Sequence, residues 1–251
     1  MKKLLLFDVD GVLRDSEQAA HRGYRAALGE IGHGLNSTSR RSWRLRGHIE
    51  FSSRTVLLLA LHALEKEGIS LRKLQRRLDW KVRLLKLVNK SRLSEQQIKK
   101  MNEAFSKSFA SESIATVHDA IAALHTFKRK GFRMAILSDG HSGPIEKWLR
   151  ENRVRKLFEV VLGSDQVNRV KPAPDGILKA SKLLGVRPAD IVYIGDTPAD
   201  VLAAKAAGSY SVAVTTGMST KRILASAKPH ILINSLGELV MALEQGSFAA
   251  S

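Results

Sequence analysis

Two pairs of acidic residues are the clearest sign of chemistry in this sequence. Asp8 and Asp10 directly follow one short apolar run, and Asp196 and Asp200 follow another. Several carboxylates in one place suit a hard cation such as Mg²⁺, which prefers oxygen ligands. The sequence contains no cysteine, which excludes a thiol nucleophile, a thiolate metal site and a disulfide framework. Any metal must therefore be held by oxygen or histidine.

A hydroxyl and a lysine also follow apolar runs. Ser138 and Asp139 end a third such run, and Lys171 lies in a segment beyond the next one. A lysine and a hydroxyl suit a phosphate group, because both donate hydrogen bonds to its oxygens. Together with carboxylates and a metal, they form a set of groups able to transfer a phosphoryl group.

These residues can meet only if the apolar runs are neighbouring strands. A first strand is predicted at 4–7. From residue 117 onward, helical and strand patterns alternate, with predicted strands at 133–137, 158–162, 191–194, 211–214 and 230–233. This alternation predicts an α/β fold, a Rossmann-like parallel sheet flanked by helices. Ligand sites in open sheets of this kind lie at the carboxyl ends of the strands. The candidate residues all follow such ends.

A long segment between the first two strands has a different pattern. Residues 16 to 112 show helical periodicity, with helices predicted near Ser16, over 56–64 and 71–88, and around Ile98 to Phe109. We therefore predict an inserted all-helical domain over residues 15–115. Residues 1–14 and 116–251 would together form the α/β catalytic core.

Four segments, in this order, resemble the four motifs of the haloacid dehalogenase-like superfamily. They are Phe7 to Leu13, Leu137 to Gly140, Val170 to Pro172, and Ile194 to Asp200. Each segment alone is a weak signal, but all four follow in order, each after its proper strand. The nearest resemblance is to phosphoglycolate phosphatase and β-phosphoglucomutase-like members. In these, a helical type 1 cap occupies the position of the insert.

The resemblance implies that the chain is a Mg²⁺-dependent phosphatase acting through an aspartyl-phosphate. Asp8 would attack phosphorus, and Asp10 would act as general acid and then as general base. The backbone carbonyl of Asp10 would also bind the metal. Asp196 would complete the metal site, and Asp200 would hold a metal-bound water or favour the helix dipole.

The remaining motif residues would contact the phosphoryl group. Ser138 would hydrogen-bond to its oxygens, and Lys171 would neutralise their charge. Asp139 belongs to the same phosphate-binding segment, but it stands where many relatives have Asn or Thr. Because it adds negative charge, we expect it to point away or to cap the next helix.

The resemblance leaves several activities open. The substrate would be a small phosphorylated metabolite, either phosphoglycolate-like or a sugar phosphate. The resemblance argues against carbon–halogen cleavage, because dehalogenases resemble this chain at Asp8 but lack an acid at the position of Asp10. A phosphomutase would share every core residue, and a phosphonatase would need a Schiff-base lysine from the cap.

The chain carries a formal net charge of +17, and +11 of this lies in residues 14–115. In that segment, Arg44, Arg46 and His48 resemble part of a specificity loop that would contact the substrate; the alternative is a solvated basic connector. The charge also raises a second class of function, a basic nucleic-acid-binding protein on the same fold. The alternative explanation of the charge is a well-solvated surface, or adaptation to a hot or salty interior.

No apolar run predicts a membrane segment. The first run, Leu4 to Phe7, is too short for the apolar part of a signal peptide. No other run approaches the length of a membrane span. We therefore predict a cytoplasmic protein with no membrane partner, and the sequence leaves its oligomeric state open.

Overall fold

The computed structural model describes residues 4–30, 95–110, 112–217 and 219–244. These residues form two compact units. The first contains the described residues up to Glu17 and from Ile114 onward, and the second contains those between. The predicted helices over 56–64 and 71–88 lie outside the described residues, as do Arg44, Arg46 and His48. The helical insert over 15–115 therefore stays a prediction.

The first unit is built on a parallel sheet of six strands in the order β3-β2-β1-β4-β5-β6. The strands are β1 (Leu4–Phe7), β2 (Arg133–Leu137), β3 (Val161–Leu162), β4 (Ile191–Gly195), β5 (Tyr210–Val214) and β6 (Ile231–Ile233). This sheet, with helices on both faces, confirms the predicted Rossmann-like α/β fold.

The described α-helices number eight. They are α1 (Glu17–Gly29), α2 (Glu95–Ala110), α3 (Ala120–Arg129), α4 (Ser142–Glu151), α5 (Asp175–Leu184), α6 (Pro198–Ala206), α7 (Lys221–Ser226) and α8 (Leu236–Glu244). Short 3₁₀ turns lie at Arg155–Leu157, Ser164–Gln166 and Pro188–Asp190.

The structure differs from the predicted elements in two places. The strand predicted over 158–162 is regular only at Val161–Leu162, although Glu159 N–H and Val160 C=O still hydrogen-bond to β2. Helix α7 was not predicted. It has six residues, fewer than two turns, so its sequence is too short to display a helical period.

Side chains along β1 point alternately to the two faces of the sheet, which explains why helices pack on both faces. Leu5 and Phe7 point into a cluster that includes buried residues of α3, α4 and α8. Leu4 and Leu6 point into a second cluster on the other face, which includes buried residues of α5 and α6. All four side chains are fully buried, as expected for the central strand of a sheet covered on both faces.

The strand order sets the place of the site. β1 lies between β2 and β4, and the chain runs outward from β1 to β3 before it returns to β4 on the opposite side. Connections therefore diverge at the carboxyl end of β1, which is where open α/β sheets bind ligands.

In the second unit, the described parts of α1 and α2 pack closely. A Cβ added at Gly23 would lie 2.8 Å from the Phe105 ring, so a larger residue there would collide with it. Phe105 stacks on Phe109, and Arg22 forms an ion pair with Glu112. In the parts of the chain that the structure describes, no helix is long and apolar enough to cross a membrane.

Candidate active site

Asp8 is the first residue beyond β1 and lies at the centre of the site. Its N–H donates to the Ile194 carbonyl oxygen at 2.8 Å, which continues the pairing of β1 with β4. The side chain is buried. One carboxylate oxygen accepts from Val9 N–H at 2.7 Å, and the other accepts from Lys171 Nζ at 2.8 Å. The strand end and the lysine thus fix both oxygens of Asp8.

Lys171 is buried and connects two carboxylates. Its Nζ lies 2.8 Å from Asp8 Oδ2 and 2.6 Å from Asp200 Oδ1, and 5.6 Å from the centre of the Tyr193 ring. Burial lowers the pKa of Lys171, but the charges of Asp200 and Asp8 outweigh burial and raise this pKa well above its ordinary value. The ammonium therefore carries its charge at neutral pH.

Asp200 is positioned by the first turn of α6. Its Oδ2 accepts from Thr197 N–H at 2.9 Å and from the Thr197 hydroxyl at 2.6 Å, an arrangement in which Thr197 caps the helix. Its Oδ1 accepts from Lys171 and, at 3.3 Å, from the buried Tyr193 hydroxyl. Four donors therefore surround this one carboxylate.

Three carboxylates converge beside Lys171. One oxygen from each of Asp8, Asp196 and Asp200 lies within 4.8 Å of the others, and all three residues are buried. The pKa of Asp8 is raised to about 7: burial is the main cause, Lys171 lowers this pKa, and the charges of Asp200 and Asp139 raise it. One lysine does not balance several acids, so this cluster has a net negative charge that a divalent cation would offset.

Two glycines make room for Asp196, which follows β4. A Cβ at Gly217 would collide with Asp196 Oδ2, and so would one at Gly11. Gly11 also has a φ of +77°, which side-chain-bearing residues rarely adopt. The Thr216 hydroxyl donates to the Gly11 carbonyl oxygen at 2.7 Å. The loops after β1 and β5 thus enclose Asp196 through backbone.

Asp10 has a partner of its own. Arg14 Nε donates to Asp10 Oδ1 at 2.7 Å, and Arg14 Nη2 donates to Asp10 Oδ2 at 3.0 Å. The Arg14 side chain is buried, whereas the Asp10 side chain is 29% exposed. Asp10 is therefore held at the surface of the site by the positive charge of the buried Arg14.

The segment after β2 lies on the side of β1 that is opposite to β4. Ser138 is buried, and its hydroxyl oxygen accepts from Gly140 N–H at 3.1 Å. Asp139 Oδ1 accepts from the backbone N–H of Lys171 at 3.3 Å. At the N-terminus of α4, Asp165 accepts from Ser142 N–H at 2.8 Å. Asp139 thus holds the lysine-bearing loop.

All seven core residues proposed from the sequence lie at the carboxyl edge of the sheet: Asp8, Asp10, Ser138, Asp139, Lys171, Asp196 and Asp200. Sequence reasoning missed Arg14, Tyr193 and Thr216. The available signal for Arg14 was its position directly after the apolar residues Val12 and Leu13, because an arginine is buried only when it is paired. Tyr193 gave no signal beyond a strand residue with a polar tip.

Comparison with known proteins identifies the family of this chain. A model of the haloacid dehalogenase-like hydrolase family matches residues 5–214, a range that contains every core residue of the site. The chain belongs to this family. It is therefore an enzyme, a phosphatase of the haloacid dehalogenase-like type, as predicted.

Several of the similar proteins carry the name phosphoglycolate phosphatase. Phosphoglycolate phosphatase 1 of Pseudomonas aeruginosa is 26% identical over 98% of this chain and 82% of its own length. Phosphoglycolate phosphatase of Salmonella paratyphi A is 32% identical, but over only 51% of this chain and 49% of its own length. A solved structure of a candidate phosphoglycolate phosphatase from Lactobacillus delbrueckii has a TM-score of 0.75 at 22% identity and covers 96% of this chain and 98% of that one.

Proposed function

We propose that this phosphatase is Mg²⁺-dependent and hydrolyses a small phosphorylated metabolite, either phosphoglycolate or a sugar phosphate, through an aspartyl-phosphate at Asp8. The observation that carries the proposal is the buried pair of Asp8 and Lys171. It lies at the end of β1, beside two further carboxylates. A nucleophile and a phosphate-binding cation therefore lie next to a set of oxygens suited to a divalent cation.

The residues that would hold Mg²⁺ are Asp8, Asp196 and the backbone carbonyl of Asp10. Asp200 lies within reach of the same point, but its oxygens already accept from Thr197, Tyr193 and Lys171. We therefore assign it mainly to holding Lys171, with any metal contact secondary. The ion would supply positive charge that offsets the acids and the phosphoryl oxygens.

In the first half of the reaction, a carboxylate oxygen of Asp8 forms a bond to phosphorus. The bond from phosphorus to the leaving oxygen breaks, and Asp10 gives that oxygen its proton. Lys171 and the Ser138 hydroxyl donate hydrogen bonds to the phosphoryl oxygens, whose charge is spread in the transition state. Lys171 must therefore turn part of its hydrogen bonding from Asp8 toward the substrate.

In the second half, Asp10 takes a proton from a water molecule. The water oxygen forms a bond to phosphorus, the bond to Asp8 breaks, and inorganic phosphate leaves. Asp10 ends the cycle protonated, as it began. Its partial exposure supports this role, because the residue must reach both the leaving oxygen and water.

The substrate is proposed from the relatives named phosphoglycolate phosphatase. Arg44, Arg46 and His48 stay a prediction as contacts to the leaving group, because they lie outside the described residues. A cytoplasmic location likewise stays a prediction. A phosphomutase or a phosphonatase would use the same core, and a basic nucleic-acid binder would use the same fold, so a test must separate the four.

The test is phosphate release from a panel of phosphoglycolate, sugar phosphates, nucleotides, pyrophosphate and a phosphonate. Release with Mg²⁺ and none with EDTA supports the proposal, and the best substrate names its class. Conversion of a hexose phosphate to its isomer without phosphate release would indicate a mutase. Oligonucleotide binding that weakens steeply with salt, in a protein that turns over no member of the panel, would indicate the binder.

A further inference from the structure

Arg14 forms a two-pronged ion pair with Asp10 inside the catalytic loop. Its two N–H groups reach both oxygens of that carboxylate, at 2.7 and 3.0 Å, from a buried position. Such a fork fixes the plane of a carboxylate as well as its place, which a lysine would not do. Because burial excludes water from the arginine, the pair is screened less than an exposed one.

Backbone contacts hold Arg14 in place within the loop. Its N–H donates to the Val9 carbonyl oxygen at 3.0 Å, and its carbonyl oxygen accepts from Gly11 N–H at 2.9 Å. On its other side, Arg14 pairs with Thr116 as an antiparallel bridge. The loop from Val9 to Arg14 is therefore a closed turn in which Asp10 and Arg14 face each other.

Held in this way, the Asp10 carboxylate faces the phosphate-binding segment. A single point beside Gly140, where its Cβ would lie, is 3.5 Å from Ser138 Oγ and 3.8 Å from Asp10 Oδ2. The general acid and the hydroxyl that would bind the phosphoryl group thus border the same small space. An Asp10 side chain without its fork could turn toward solvent, since it is already partly exposed.

We propose that Arg14 is a positioning residue that holds the Asp10 carboxylate over the phosphoryl site, and that it acts on the reaction only through Asp10. The proposal rests on the acid–base role of Asp10 in the proposed function. Arg14 also stabilises the negative charge that Asp10 gains when it gives its proton to the leaving oxygen. Its contribution should therefore be large where the leaving group needs a proton and small where it does not.

The experiment compares two substrates in wild type, Arg14→Met, Arg14→Lys, Asp10→Asn and the double variant Asp10→Asn/Arg14→Met. One substrate is the alkyl phosphate of the panel that is hydrolysed fastest, and the other is p-nitrophenyl phosphate, whose leaving group departs unaided. For Arg14→Met we expect kcat/KM to fall about 10- to 100-fold with the alkyl phosphate. With p-nitrophenyl phosphate, kcat/KM should change by less than about threefold, since it reports only the first half of the reaction.

The double variant tests whether Arg14 acts through Asp10. Adding Arg14→Met to Asp10→Asn should change kcat/KM by less than about threefold, because the group that Arg14 positions is already removed. A matched control is Arg133→Met. Arg133 makes an equal fork to Glu159, at 2.8 and 2.6 Å, but at the exposed start of β2. That variant should keep wild-type kcat/KM with both substrates.

Each other outcome overturns the inference. Equal losses with both substrates would mean that Arg14 supports only the fold, and no loss with either would mean that the fork is irrelevant. If Arg14→Met does not fold, Arg14→Lys decides by the same criterion, a loss confined to the alkyl phosphate. If Asp10→Asn itself has wild-type kcat/KM with the alkyl phosphate, the acid–base part of the proposed function fails instead.

Discussion

Asp8 and Asp10 lie two residues apart, yet the fold gives them opposite surroundings. Asp8 ends the strand pairing, is buried, and faces an ammonium together with further carboxylates. Asp10 lies in the turn beyond, is partly exposed, and faces a guanidinium that makes a fork. Neighbours in sequence thus differ in solvation, in partner and in the geometry of that partner.

In the proposed mechanism, this difference would let one residue type serve two steps of one reaction. A nucleophile benefits from a fixed oxygen beside a phosphate-binding cation, away from bulk water. An acid–base residue must exchange protons with both a leaving oxygen and water, so it needs access. The strand end supplies the first environment and the turn supplies the second. Separate substitutions should therefore give separate kinetic signatures.

The largest effect is expected for Asp8→Asn. An amide does not attack phosphorus, so turnover should fall by roughly 10⁴- to 10⁶-fold, as for other nucleophiles. Rapid-quench experiments with p-nitrophenyl phosphate should give no burst of nitrophenol. A burst in this variant would place the nucleophile elsewhere and would remove the basis for contrasting the two aspartates.

The next largest effect is expected for Asp196→Ala, which removes a proposed Mg²⁺ ligand beside Asp8. Activity at ordinary Mg²⁺ should fall by about 10³-fold or more, because a hard cation has few protein ligands. Circular dichroism should be that of the wild type. Full activity of the variant at micromolar Mg²⁺ would contradict the metal assignment.

A smaller and different effect is expected for Asp10→Asn, which keeps the backbone carbonyl but removes the acid. Turnover should fall about 10²- to 10⁴-fold. With p-nitrophenyl phosphate, a burst of nitrophenol near one per active site should precede slow turnover, because loss of the base leaves phosphate on Asp8. Mass spectrometry of the trapped protein checks the position. Phosphate on any other residue would refute the mechanism.

The candidate residues at the ends of strands could be predicted from the sequence. Asp8, Ser138 and Asp196 were predictable because each follows an apolar run. The ends of parallel strands must meet at one edge of a sheet whatever the loops do. The strand count and the two-sided burial followed from the same alternation of strands and helices.

Arg14 was not predictable in that way. Its spacing of four from Asp10 is typical of a helix face, but Val9 to Arg14 is a turn, whose path depends on tertiary contacts and not on periodicity. Tyr193 was hidden for a related reason. Its position in β4 was predicted, but the reach of its hydroxyl to Leu137 C=O, 3.0 Å away in β2, depends on strand order. The candidate catalytic residues were therefore easier to predict from the sequence than the residues that support them.

The smallest predicted effect concerns stability, and it separates the environment of Asp8 from its chemistry. Burial raises the pKa of Asp8 from 3.8 to about 7 in the folded protein. Between these values the folded state keeps a proton that the unfolded state loses, so this contribution to stability is complete below pH 3.8. It is lost as pH rises through about 7.

Asn mimics the protonated acid and does not titrate. In EDTA, the Tm of wild type minus that of Asp8→Asn should therefore fall between pH 4 and 7, by on the order of 5–10 °C, and then level off. Differential scanning calorimetry measures this difference. A difference that stays constant between pH 4 and 7 would mean that Lys171 outweighs burial and keeps Asp8 ionised in the folded protein.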